Sequence, residues 1–137
     1  MSLPKEEQVR IVIASKKRIA ELTGKILDVM YDSDSENNQL INKQESAIKK
    51  SIYEIVSELS IISGFCRSKE REFVNIITRN ILAMTPSLQY TKLLLEDWCT
   101  IVNEIVVDFN KTPFKFLNNE LKGKWRDLEA KINVLVQ

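Results

Sequence analysis

Leu88–Phe109, LQYTKLLLEDWCTIVNEIVVDF, decides how this chain folds. Leu88, Leu95, Trp98, Val102, Ile105 and Phe109 recur at spacings of three, four and seven, which places them on one stripe of an α-helix. Leu94, Ile101 and Val106 widen that stripe. No other window is as apolar, so this helix is expected to carry the most buried surface.

The segments on either side follow the same period. Phe114, Leu117, Leu121, Trp125, Leu128, Ile132 and Leu135 form the stripe of a last helix. Thr85-Pro86 and Thr112-Pro113 are expected to start these two helices, with Thr as N-cap and Pro in the first helical position. The turn between them, Asn110–Thr112, is so short that antiparallel packing is nearly forced. Equal rise from that turn makes facing residue numbers sum to about 223. Trp98 then lies level with Trp125, and Asp97 lies beside Arg126. Asp97, Glu104 and Asp108 share one edge, opposite Lys115, Lys122 and Arg126. Both helices also repeat Leu, Trp and Ile at the same offsets from Thr-Pro (Leu94, Trp98, Ile105; Leu121, Trp125, Ile132). Convergence on a helix start plus a core stripe accounts for this more simply than duplication.

Toward the N-terminus, Pro4–Tyr31 reads as a first helix. Val9, Val12, Ile13, Ile19, Ala20, Ile26, Leu27 and Met30 form its main stripe, with Ile11, Leu22 and Val29 as a second apolar flank. Lys16 falls inside the apolar arc, where its stem can lie on apolar surface while the ammonium reaches water. Asn38–Ser63 reads as a second helix with the stripe Ile41, Ile48, Ile52, Ile55, Leu59 and Ile62. The acidic linker from Asp32 joins the two as an antiparallel hairpin. It is not a calcium loop, because Asn37 and Lys43 stand where a turn glycine and a bidentate glutamate are needed. Gly64 suits a left-handed C-cap. Ser68 is the expected cap of a shorter third helix, with Glu70 and Glu72 in its first turn and Phe73, Ile77, Ile81 and Met84 facing inward. That helix stops at Thr85-Pro86.

The expected fold is therefore all-α: an antiparallel bundle of four long helices, with a shorter third helix crossing between the pairs. The 137 residues are expected to form one helical-bundle domain, with Met1–Leu3 either disordered or a cloning remnant and given no structural weight. Only three Gly and three Pro are present, as long helices require. No apolar run approaches the ~20 residues that span a bilayer, and no signal-peptide core is present, so no membrane role is expected.

Composition narrows the function. The chain has no histidine, which removes His-containing triads and His-metal sites. Cys66 and Cys99 lack metal-ligand spacing and read as reduced thiols of a cytoplasmic protein. Arg67 beside Cys66 is a cation able to lower that thiol's pKa, but no histidine or second thiol is near to use it. The glycines are isolated and cradle no phosphate. No cofactor is expected.

Three functional readings follow. The first is a non-enzymatic protein–protein interaction module, a small regulator or assembly subunit, binding another protein or itself as a homodimer. Its candidate contacts are Ile11, Leu22, Val29, Phe116 and Val134, which lie off the main stripes. The second is nucleic-acid association through local patches of Lys16, Lys17, Arg18, Lys122, Lys124 and Arg126. The net charge of +1 supplies no bulk field for this. The third and fourth helices loosely suggest a helix-turn-helix, but the fourth is too apolar and acidic for a major groove. The third reading is a divalent-metal-dependent all-α hydrolase using Asp97, Glu104 and Asp108. These acids span several turns of one helix and already face cations.

Overall fold

A computed structural model describes residues 3–31, 42–86, 92–105 and 117–136, with the backbone alone for 42, 92, 93, 135 and 136. Among the described residues there are five α-helices: α1 (Lys5–Tyr31), α2 (Asn42–Ser63), α3 (Ser68–Met84), α4 (Lys92–Ile105) and α5 (Asn119–Val136). The fold is an all-α helical bundle. Its helices pack in a ring, α1 on α2, α2 on α3, α3 on α5, α5 on α4 and α4 on α1. α3 thus joins the α1/α2 pair to the α4/α5 pair, as its position between them in sequence implies, and at 17 residues it is close in length to α5 (18 residues) and longer than the described α4 (14 residues).

The period of each stripe explains the core. Ile48, Ile52, Ile55, Leu59 and Ile62 of α2 are all fully buried, as are Leu95, Trp98, Val102 and Ile105 of α4. Phe73, Ile77, Ile81 and Met84 of α3 face inward, and so do Leu121, Trp125, Leu128 and Ile132 of α5. Although α4 is densely apolar, the most extensive helix–helix packing among the described residues is between α1 and α2. Length explains this, since α1 and α2 are the two longest helices.

On α1 the inward face differs from the expected stripe. Val12, Ile19, Leu22, Ile26 and Met30 are buried together with Ser15 and Thr23. Leu22, expected on a flank, has no exposure at all. Ile13 is 50% exposed and Ala20 is exposed. An arc covering half the helix leaves its centre undefined, and only the positions of α2 and α4 fix it. Thr23 is held against α4, its hydroxyl 3.2 Å from Asn103 Oδ1 and 3.1 Å from its own helix's Ala20 carbonyl. One hydroxyl proton serves one of these acceptors at a time. Tyr31 hydrogen-bonds to Glu96, so α1 and α4 run antiparallel.

Helix ends also depart from expectation. Gly64 does not take a left-handed conformation. Instead α2 closes with successive i→i−3 bonds, from Gly64 N to Ile61 O at 3.2 Å, Phe65 N to Ile62 O at 3.0 Å and Cys66 N to Ser63 O at 3.2 Å. Arg71 then reaches back from α3, donating to the carbonyls of Ser63 and Cys66 at 3.1 Å each. The N-cap of α3 is Arg67, with φ −71° and ψ 167°, and no side chain caps it, so Ser68 is already the first helical residue. Thr85 is the C-cap of α3 rather than the N-cap of α4, and its hydroxyl donates to Ile81 O at 2.8 Å. Pro86 belongs to the 3₁₀ turn that follows α3. Residues 87–91 lie outside the described residues, as do the acidic linker 32–41 and the Thr112-Pro113 start.

Before α5, Leu117 and Asn118 are not helical, so no continuous helix runs from Pro113. Asn118 caps α5 instead, accepting the Leu121 N–H at 2.7 Å. The later start shifts the register between α4 and α5. Lys124 pairs with Glu104, and Lys131 Nζ lies 3.6 Å from Asp97 Oδ2; both pairs of numbers sum to 228, not 223. The expected Asp97–Arg126 pairing does not form. Trp98 and Trp125 are then not level. Five residues at ~1.5 Å rise set them about 7 Å apart along the pair, more than one turn.

Candidate functional site

The structure divides the sequence candidates. Of the acidic edge, Glu104 binds Lys124, which also lies 3.5 Å from Glu120, and Asp97 faces Lys131. The Glu104 carboxylate raises the Lys124 pKa above its usual value. Asp108 lies outside the described residues. Among the described residues no group of three or more His, Cys, Asp or Glu side chains could hold a metal ion.

The basic candidates are not brought together. Lys16, Lys17 and Arg18 are on α1, while Lys122, Lys124 and Arg126 are on α5, and these helices are not neighbours in the ring. Arg18 bonds Glu54 of α2 at 2.9 Å and lies 3.5 Å from Glu21. Lys122 and Arg126 are exposed, and α5 turns Lys124 and Lys131 toward the acids of α4 in their place.

The five partner-binding candidates do not form one patch. Leu22 is core. Ile11 is half-buried, and Val29 packs against the core. Phe116 lies outside the described residues. Val134 alone stands out, at 76% exposure.

Both thiols are buried and free. Burial pushes the Cys66 pKa up to about 12, with Glu70 adding to the rise and Arg71 opposing it. The cation that opposes the rise is Arg71 rather than the expected Arg67, and desolvation outweighs it. Cys99 is also pushed up to about 12, by burial and then by Glu96. An open cleft of 660 Å³ lies where Cys66, the first turn of α3 and Leu117 meet. Glu70 lines it and is itself 7% exposed.

One surface went unnoticed in the sequence. From Tyr53 to the end of α2 the fully exposed residues are Tyr53, Ser57, Ser60 and Ile61, none of them charged, with Gly64 exposed just beyond and Glu54 and Glu58 half-buried alongside. Tyr53 and Ile61 are 53% and 43% exposed. Ser57 Oγ donates to the Tyr53 carbonyl at 3.1 Å, and Ser60 Oγ donates to the Val56 carbonyl at 3.0 Å. Both hydroxyl protons are therefore used within the helix. Elsewhere the exposed residues include charges: Glu21 and Lys25 on α1, Arg71 and Glu72 on α3, Asp97 on α4, Lys122 and Arg126 on α5. The missed signal was Tyr, Ser and Ile at four-residue spacing opposite the α2 core stripe. No family model, curated protein or solved structure matches this chain.

Proposed function

We propose that this protein is a non-enzymatic protein–protein interaction module that seats a partner on the outward face of α2. The observation that carries this reading is that Tyr53, Ser57, Ser60 and Ile61, the most exposed residues of the C-terminal half of α2, carry no charge, on a helix whose opposite side is core. Soluble helices ordinarily turn charged residues outward, and an apolar patch with few free donors favours contact with protein over contact with water. Burying a large apolar side chain there contributes roughly 1.5–3 kcal/mol.

Two further observations support it. The thiols are held protonated, so neither supplies a thiolate nucleophile near neutral pH. Arg18 and Lys124, members of the two basic clusters, are engaged by acids of this chain. The reading includes a reducing, cytoplasmic compartment, supported by two free, buried cysteines. Among the described residues no helix is long and apolar enough to cross a membrane.

The test is affinity capture from the native host with wild type and with a Tyr53→Asp/Ile61→Asp variant. Both side chains project outward, so the variant should keep its helical circular dichroism and Tm. The expected result is a partner retained by wild type and by Lys122→Ala, and lost by the double variant. Retention of every captured protein by the folded double variant overturns the proposal.

A further inference from the structure

We infer that the cleft at the N-terminal end of α3 binds a small dipolar ligand of the amino-acid or short-peptide kind, its ammonium seated on Glu70 and its carboxylate held between Arg67 and Lys69. This does not depend on the reading of α2 as a docking face.

Glu70 carries the argument. It heads the core stripe of α3, one turn before Phe73 and Val74, and is 7% exposed. An ionised carboxylate taken out of water is costly unless a cation or a donor meets it. Among the described residues none does, since Glu70 forms no ion pair and accepts no hydrogen bond. Its neighbour Arg71 commits its guanidinium to the carbonyls of Ser63 and Cys66. Yet no buried side-chain oxygen among the described residues is sealed off without a partner, so the Glu70 carboxylate opens onto the cleft that it lines.

The rest of the lining fixes the class of ligand. Arg67 and Lys69 also line the cleft, are exposed, and form no ion pair among the described residues. Arg67 is the N-cap of α3 and no side chain caps the helix, so the first helical N–H groups, on Ser68, Lys69 and Glu70, have no side-chain acceptor. That end of the helix favours a negative charge. A purely cationic ligand meets repulsion from Arg67, Lys69 and Arg71. A purely anionic one meets Glu70. A molecule that carries both charges is attracted to both halves of the cleft. Cys66 and Leu117 supply an apolar wall for its side chain. The 660 Å³ of open space falls within the roughly 300–1,000 Å³ of small-molecule sites.

The experiment follows the backbone amides of the full chain by heteronuclear NMR during titration with a mixture of unprotected dipeptides. The comparison probes are the same mixture N-acetylated, the same mixture C-amidated, and inorganic phosphate. The unprotected mixture should shift the amides of Ser68, Lys69, Glu70 and Leu117 saturably. Either blocked mixture should bind about tenfold more weakly or worse, because each lacks one charge-assisted contact. Glu70→Gln keeps the shape and removes the charge. It should retain its helical circular dichroism, lose about tenfold in apparent affinity for the unprotected mixture, and bind the N-acetylated mixture no worse than wild type does. A purely structural role for Glu70 would not produce that selective loss. Arg67→Ala/Lys69→Ala changes exposed side chains alone, so it should keep its Tm and bind the unprotected and C-amidated mixtures alike. Unmoved amides with the unprotected mixture overturn the inference. So does binding of phosphate or of the N-acetylated mixture as tight as that of the unprotected one, which marks a plain anion site. Unchanged binding by folded Glu70→Gln overturns it as well. If Glu70→Gln unfolds, the Arg67→Ala/Lys69→Ala variant decides, and its continued preference for a free carboxylate overturns the inference.

Discussion

Trp98 donates its indole N–H to the carbonyl oxygen of Ile77 across 3.3 Å, tying α4 to α3 inside the core. One turn earlier on α3, the ring of Phe73 meets Trp125 of α5 edge-on, with centroids 6.2 Å apart and planes at 74°. The two tryptophans therefore occupy successive turns of α3 instead of one layer. Both remain buried, Trp98 at 0% and Trp125 at 6% exposure, so the inner faces of α4 and α5 are those the stripes imply. Their relative height is set by α3.

Trp98→Phe should unfold at lower denaturant, by about 1–3 kcal/mol from a lost buried hydrogen bond and lost volume. Trp98→Ala should cost about 3–5 kcal/mol. Equilibrium urea unfolding followed by circular dichroism measures both. A wild-type midpoint for Trp98→Phe would show that the bond to Ile77 contributes nothing.

The register between α4 and α5 is open to a double-mutant cycle. Glu104 and Lys124 should show favourable coupling at low salt that fades at high salt, because the pair is partly exposed. Asp97 and Arg126 should show none. Coupling of Asp97 to Arg126 but not of Glu104 to Lys124 would restore the sum of 223.

Leu22 and Val134 were both candidates for a partner surface, and the structure separates them. Leu22→Ala should lose about 2–5 kcal/mol as a cavity opens in the core. Val134→Ala should stay within about 0.5 kcal/mol of wild type. Thermal or urea unfolding of the two variants side by side distinguishes them.

The cysteines give a pH signature. Each thiol rises from 9.0 to about 12 on folding, chiefly through burial. A group whose folded pKa is raised contributes stability that is present below the unfolded pKa and lost as pH climbs to the folded one. Stability should therefore fall between pH 9 and 12, where the unfolded chain has released protons that the native thiols retain. Cys99→Ala should flatten that slope. Ellman's reagent should find both thiols unreactive in native protein at pH 8 and reactive in guanidinium.

Much of the fold was legible because a helix writes its period into the chain. The stripes of α2, α3, α4 and α5 name their buried residues directly, since apolar positions at three and four share a face whatever packs against it. Scarcity of Gly and Pro settled the class. Ile13 and Ala20 were misplaced because half of α1 is apolar, and only contact with α2 and α4 selects which part of that arc is covered.

What the sequence alone determined is thus the all-α class, the inner residues of α2 to α5 and the absence of histidine. The register of α4 on α5 belongs to tertiary structure, because a cap at Asn118 and the anchoring of Trp98 and Trp125 on α3 override the arithmetic of a short turn. So does the depth of Cys66, whose neighbouring cation is visible in sequence while its desolvation is not. The outward face of α2 lies between the two: its uncharged residues are written in the chain, but their exposure depends on the other four helices leaving that side uncovered.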